Sequence, residues 1–128
     1  MLRSLLTAGA LALAALTSVA EARTANFNGA WPPEPFLSQA IASIEAGRSP
    51  WVVVPQRTIE QWGCSRGALG CTADGGLGLF VMISDEASRM SRCIVLIHEE
   101  AHRLGWSGNH AGGTWAPNGC PLSAGSVP

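Results

Sequence analysis

One amphipathic segment, residues 85 to 104, limits the possible folds of this chain more than any other part of its sequence. Ser84 or Asp85 is suited to cap the start of a helix there, and Gly105 is suited to end it. The apolar residues recur at the spacing of one helix face: Met90, Ile94, Ile97, Ala101 and Leu104. Such a stripe is stable in water only when it is covered, so the rest of the chain must supply a packing partner.

The same predicted helix carries two histidines four residues apart, His98 and His102. Residues at this spacing lie on one face about one helical turn apart, so both imidazoles can reach one metal ion. The third histidine of the chain, His110, follows Gly105, and a turn at that glycine can return it toward the pair. The three histidines are therefore the predicted ligands of a zinc ion. The alternative is a solvated histidine pair on the exposed face of an amphipathic helix.

Two adjacent acids, Glu99 and Glu100, lie between these histidines, and the helix gives them different surroundings. Glu99 projects about 100° around the helix from His98, beside the metal rather than onto it. A carboxylate in that position can accept a proton from a metal-bound water, so Glu99 is the predicted catalytic base. Glu100 is expected to point away from the metal and to pair with Arg103, three residues further on, at the polar face of the helix.

The first 22 residues have the organisation of a secretory signal peptide. Arg3 provides the positive charge, residues 5 to 16 are a short apolar segment, and Ala20-Glu21-Ala22 is a small-x-small cleavage site. An uncleaved membrane anchor is the alternative, but the apolar segment is shorter than the roughly 20 residues that span a bilayer. Cleavage would leave residues 23 to 128 as one domain with a Gly/Pro-rich tail. The Arg/Ala/Gly bias of the chain is typical of a bacterium, and hence of a periplasmic or secreted protein.

Four cysteines lie in the part of the chain that export would retain. In an exported protein an even number of cysteines indicates disulfides, here two, and three pairings are possible. We favour Cys64–Cys71, which would close a Gly-rich loop, and Cys93–Cys120, which would tie the tail to the histidine-bearing helix. The alternative use of these cysteines is as zinc ligands, but the sequence has no Cys-x2-Cys pair of the kind found in zinc fingers.

The charge and hydropathy of the chain argue against two classes of partner. Its formal net charge is −1 and its arginines are scattered, so no surface for nucleic acid is predicted. No second apolar stretch like residues 5 to 16 is present, so no stable membrane insertion is expected once that stretch is removed.

Patterns outside the histidine-bearing helix predict short elements of both kinds. A helix is expected over residues 34 to 46, and strands over residues 51 to 54 and 77 to 83. Residues 56 to 76 are glycine-rich and are predicted to form a loop, with a strand over 58 to 62 as an option. The fold class is therefore α+β, with a short β-sheet packed against the histidine-bearing helix.

The run His98-Glu99-x-x-His102-x-x-Gly105 resembles the motif of the zincin metallopeptidases. The added glycine is similar to that of their metzincin branch. In that branch the third histidine comes three residues after the glycine, where this chain has Gly108, so His110 is displaced by two residues. The resemblance covers about thirteen residues, and no methionine follows Met90 to form the downstream methionine turn of metzincins.

The resemblance implies a small zincin-like domain over residues 23 to 128. It implies Zn²⁺ as the cofactor, with Glu99 activating a zinc-bound water for attack on a peptide bond. It also implies a strand that runs parallel to the motif helix and binds an extended peptide along its edge. Residues 77 to 83 are the strand expected in that position.

Three candidate functions follow from these predictions. The first is an exported zinc-dependent hydrolase, a small metallopeptidase with a peptide, a protein or a peptidoglycan peptide as its substrate. The second is a noncatalytic, zinc-stabilised and disulfide-linked module for binding or envelope assembly. A disulfide-stapled interaction domain without metal is a third possibility. The pairing of Glu99 with His98 favours the hydrolase, because a purely structural zinc site has no use for that carboxylate.

Overall fold

The computed structural model describes residues 28 to 128. The predicted signal peptide and its cleavage site lie outside the described residues. In chain order the described elements are α1 (Phe36–Glu45), β1 (Trp51–Val54), α2 (Gln56–Gln61), β2 (Gly70–Asp74), β3 (Leu79–Ser84), α3 (Arg89–Arg103) and a 3-10 turn (Ala124–Ser126). None of the described helices is long and apolar enough to cross a membrane.

The three strands form one mixed sheet in the order β1-β3-β2. The middle strand, β3, is parallel to β1 and antiparallel to β2. Val81 and Ile83 of β3 are fully buried in one apolar cluster with Leu96 and Ile97 of α3. Helix α1 packs against α3, and the short helix α2 packs against β3. The predicted α+β class, with a short sheet against the histidine-bearing helix, is therefore confirmed.

Helix α3 buries the predicted stripe but begins later than predicted. Ile94, Ile97 and Ala101 are buried, so the apolar spacing identified the inward face correctly. The N-cap is Ser88, whose Oγ accepts a hydrogen bond of 3.2 Å from the backbone N–H of Ser91. The predicted start at residues 84 and 85 is wrong, because Ser84 instead closes a separate turn by accepting from the backbone of residues 86 and 87.

The segment 56 to 76 contains regular structure that the sequence did not predict. Residues 56 to 61 form a helix, so the optional strand over 58 to 62 is wrong. The helix is held by tertiary contacts: Ile59 is fully buried, and Gln56 donates a 2.7 Å hydrogen bond to the carbonyl of Ala68. Residues 70 to 74 form β2, which pairs with β3. A six-residue helix and a glycine-containing strand are both too short to leave a clear periodicity.

The strand predicted at residues 77 to 83 occupies residues 79 to 84 and is the middle strand of the sheet. Both of its sides are paired, so it has no free edge for a peptide. The prediction that this strand offers a substrate-binding edge is therefore wrong. The edge strand beside α3 at the histidines is β2, whose Thr72 contacts Glu99.

Both favoured disulfides are present, Cys64–Cys71 and Cys93–Cys120. The first joins the start of β2 to the segment after α2, and the second ties the C-terminal tail to α3. Each such bond typically contributes about 2–4 kcal/mol to the stability of a domain. Disulfides are typical of proteins in an oxidising environment outside the cytosol, which agrees with the predicted export.

Candidate metal centre

The three histidines come together at the C-terminal end of α3. The Nε2 atom of His98 lies 3.2 Å from Nε2 of His102 and 3.1 Å from Nε2 of His110. One nitrogen from each ring lies within 4.8 Å of the others, so the cluster could hold a metal ion. With zinc–nitrogen bonds of roughly 2.0–2.1 Å, two ligands of a tetrahedral ion are about 3.3–3.4 Å apart. The two separations from Nε2 of His98 are close to that value.

The opposite nitrogens, Nδ1, of the two helical histidines define the tautomer of each neutral ring. Nδ1 of His98 lies 2.6 Å from the carbonyl oxygen of Ala30, and Nδ1 of His102 lies 2.9 Å from that of Trp106. A carbonyl only accepts hydrogen bonds, so each Nδ1 carries the proton and donates it. When both rings are neutral, their Nε2 lone pairs then face each other. Such a pair is repulsive unless a cation lies between the rings, and the donor set therefore fits a metal.

The electrostatics of the cluster also favour neutral imidazoles. Burial lowers the pKa of His98 from 6.5 to about 4, although its bond to Ala30 acts in the opposite direction. Burial, and then the neighbouring His102, lower the pKa of His110. Neutral imidazole is the form that binds a metal, so at neutral pH few protons compete for these two nitrogens.

The segment before α1 is part of the site, which the sequence did not predict. It brings the carbonyl of Ala30 to His98, and a β-bridge joins Trp31 to Thr114 through backbone hydrogen bonds of 2.9 and 3.0 Å. A side chain at Gly113 would overlap the backbone of Gly29, so this close approach requires glycine. The bridge thus holds the carbonyl of Ala30, which orients His98, beside the loop that carries His110.

His110 reaches the cluster through a tight turn in the loop that follows α3. Gly105 has φ +117°, as expected for the glycine that ends the helix. His110 itself has φ +59°, in the left-handed region that only a few per cent of non-glycine residues adopt. Its backbone is held by hydrogen bonds to Ser107 and Gly113, each near 3 Å. Unfavourable backbone at a potential ligand is typical of functional sites.

Trp106 forms one side of the cluster. The indole is buried, and its ring stacks on His102 with centroids 4.7 Å apart and an interplanar angle of 13°. Its Nε1–H donates a 2.9 Å hydrogen bond to the carbonyl of Ala111. The side chain and the backbone carbonyl of Trp106 therefore both restrict the orientation of His102.

Glu99 lies beside the cluster, as its position on the helix predicted. Its Oε2 is 3.8 Å from Nε2 of His98, and its side chain is 13% exposed. Burial raises the pKa of this carboxyl, and the neighbouring His102 acts against that shift. The carboxylate thus lies close to the histidine nitrogens but is not part of the three-histidine group. A general base for a water beside those nitrogens needs this arrangement.

Glu100 points away from the histidines, but its predicted place at the polar face of the helix is wrong. Its side chain is fully buried and accepts two 2.6 Å hydrogen bonds from Arg103 and one of 2.6 Å from Ser43. The predicted pairing with Arg103 is confirmed. Ser43 belongs to α1, so this acid connects α1 to α3 directly behind the site.

Glu100→Gln is therefore expected to destabilise the fold. An amide cannot accept both guanidinium bonds, and the variant should lose about 1–3 kcal/mol of unfolding free energy. This loss is smaller than the roughly 3–5 kcal/mol that removal of one partner costs in a fully buried ion pair, because water partly reaches Arg103. Urea denaturation of both proteins measures it. The exposed Asp85 provides a matched control, since Asp85→Asn should cost less than about 0.5 kcal/mol. Equal stability of Glu100→Gln and wild type would contradict the proposed link between α1 and α3.

An open cleft of about 610 Å³ lies over the cluster. One wall is made by residues 63 to 72, which include the Cys64–Cys71 disulfide, and the other by the histidines, Glu99 and Trp106. Apart from Glu99 and the histidines, the described residues that line the cleft are uncharged. A ligand in the cleft would reach the Nε2 atoms and the carboxylate together.

Comparisons with protein-family models, with curated proteins and with solved structures found no match to this chain. The described residues themselves define a small α+β domain with two disulfides and a three-histidine cluster that could hold a metal ion.

Proposed function

We propose that this protein is an exported zinc-dependent hydrolase of the zincin type, acting as a small metallopeptidase. One observation carries the proposal: Nε2 of His98 lies 3.2 and 3.1 Å from those of His102 and His110, and a carboxylate oxygen of Glu99 lies 3.8 Å from it at an open cleft. A purely structural site needs no free carboxylate and is normally closed by a fourth protein ligand.

Zinc is the metal that fits these ligands best. Neutral imidazole also suits copper, iron and nickel, but three converging histidines beside an open cleft are typical of catalytic zinc. When bound, zinc supplies a Lewis acid that polarises a carbonyl oxygen and lowers the pKa of water to about 7. His98, His102 and His110 would hold it, and the carbonyls of Ala30 and Trp106 would keep the two helical rings oriented.

Glu99 is the proposed general base. Its Oε2 takes a proton from a water at the mouth of the cluster, and the same oxygen then returns the proton to the amine nitrogen that leaves the cleaved peptide bond. Burial raises the pKa of the Glu99 carboxyl. This favours the exchange, because it brings that pKa closer to those of the water that loses the proton and the amine that receives it.

Peptides, proteins and peptidoglycan peptides are the proposed substrates, in the periplasm or outside a bacterial cell. The open cleft admits an extended chain, and it is lined by Gly70, Cys71 and Thr72 of β2, an edge strand of the sheet that the described residues form. A peptide could pair with that edge through its backbone, which requires no particular side chains. The two disulfides support an oxidising compartment, and the N-terminal sequence supports export.

A noncatalytic zinc-stabilised module is the second candidate. It is favoured by the uncharged lining of the cleft, since among the described residues no arginine lies there to stabilise an oxyanion. In that case zinc would organise the cleft as a binding surface for an envelope partner.

Zinc-loaded protein is expected to contain one equivalent of zinc per chain and to cleave peptides, and a chelator should abolish both properties. Metal analysis measures the zinc content. Mass spectrometry of digests of casein, peptide libraries and peptidoglycan fragments measures the cleavage. Restoration of cleavage by added Zn²⁺ is the control for nonspecific effects of the chelator. Less than about half an equivalent of zinc after supplementation contradicts both candidates, whereas full occupancy without cleavage favours the noncatalytic module.

A further inference from the structure

We propose that Thr72, on the edge strand β2, is a positioning residue that holds the carboxylate of Glu99 in place for its role beside the metal. This inference rests on the proposed function and adds a residue of the sheet to a site otherwise built from α3 and the loops around it. Nothing in the sequence pattern singled out Thr72.

The contacts of Thr72 with Glu99 carry the inference. Its Oγ1 lies 2.8 Å from the backbone carbonyl oxygen of Glu99 and 3.0 Å from its Oε1. The other carboxylate oxygen, Oε2, is the one that lies 3.8 Å from Nε2 of His98. The single hydroxyl proton is shared between the carbonyl and Oε1, so the hydroxyl does not engage Oε2, the oxygen near His98.

The sheet is built to bring Thr72 this close to the helix. A Cβ at Gly70 would overlap the side chain of Val95 and lie 3.1 Å from Cγ of Glu99, so only glycine allows β2 to pass α3 at this point. Cys71, directly before Thr72, is joined to Cys64. The close approach restricts the movement of the strand relative to Glu99, and the disulfide restricts its movement relative to the segment after α2.

A glutamate side chain without such a partner has three rotatable bonds and populates several rotamers. A hydroxyl bonded to one carboxylate oxygen selects the rotamer that directs the other oxygen toward the cluster. Misplacement of a catalytic group by about 1 Å can reduce a rate by about a hundredfold. A purely structural role for Thr72 is the competing explanation, because the same hydroxyl also contacts the backbone of Glu99.

Co²⁺-loaded protein separates these roles, since the visible spectrum of bound Co²⁺ responds to the surroundings of its open coordination position. Thr72→Val, which keeps the size and the branched shape, is expected to shift the spectrum in the direction of Glu99→Ala. Thr72→Ser should restore the wild-type spectrum. Co²⁺ affinity should change by less than about threefold, because Thr72 touches none of the histidines. In a hydrolysis assay, the kcat of Thr72→Val should fall about ten- to a hundredfold with little change in KM.

The decisive comparison is Thr72→Val in the Glu99→Ala background, where the substitution should have no further effect on the spectrum. An equal shift in both backgrounds, or a wild-type spectrum for Thr72→Val, overturns the positioning role. Thr72→Ala replaces the valine variant in the same comparison if the latter does not fold. Failure of wild-type protein to bind Co²⁺ contradicts the metal site itself, so the two proposals fail by different observations.

Discussion

Glu99→Gln is expected to reduce hydrolysis by about 10²–10⁴-fold, the usual contribution of a general acid–base group, while zinc content and fold persist. The amide fills the same space and can still accept a hydrogen bond from Thr72, but it cannot take a proton from water. Rates with the best peptide found, together with metal analysis and circular dichroism, measure the three properties.

The choice of control for this experiment depends on the structure. By sequence alone Glu100→Gln is the natural comparison, since the two acids are adjacent and only one faces the histidines. Glu100 is buried between α1 and α3, however, so its loss would weaken the fold and obscure the comparison. Asp85→Asn removes an exposed carboxylate outside the cleft and should retain full activity. Equal rates for Glu99→Gln and wild type would exclude the proposed mechanism.

Removal of any one of the three histidines is expected to weaken zinc binding by more than the roughly 10–100-fold that loss of an outer-shell partner costs. His110 gives the most informative variant, because the displaced third ligand is the least expected part of the motif. His110→Asn is suited to the test, since asparagine accepts the positive φ at this position better than most residues. Competition with a chromophoric chelator measures the affinity.

His102→Ala is the reference for this experiment, because His102 lies on the helix and not in the loop that carries His110. Both variants should remain folded, as judged by thermal unfolding without metal. If His110→Asn binds zinc as tightly as wild type while His102→Ala does not, then His110 is not a ligand and the cluster is a two-histidine site.

Much of the local structure was predictable because it depends on neighbours in the chain. The spacing of Ile94, Ile97 and Ala101 identified the buried face of α3, and the interval of four residues placed His98 and His102 on one side of it. The preferred cysteine pairing followed from loop size and from the need to anchor the tail, and it is confirmed.

The remainder depends on residues that are distant in sequence. The burial of Glu100 arises from Ser43, 57 residues earlier, and the orientation of His98 from the carbonyl of Ala30, 68 residues earlier. Thr72 meets Glu99 across 27 residues and only because Gly70 permits the approach. Hydropathy patterns report how one element faces the core, and they contain no information about which backbone carbonyl or hydroxyl comes to rest against it.

By itself, the sequence determined which side chains could act together: two imidazoles and a carboxylate on one helix, a third imidazole after a glycine turn, and the cysteines that brace them. Helical spacing imposes these relations whatever the helix packs against. The tertiary structure decided the order of the strands, which made β2 rather than β3 the edge beside the cleft. It also decided how each ring and carboxylate is oriented, because the packing of separate segments brings together hydrogen-bond partners that are far apart in the sequence.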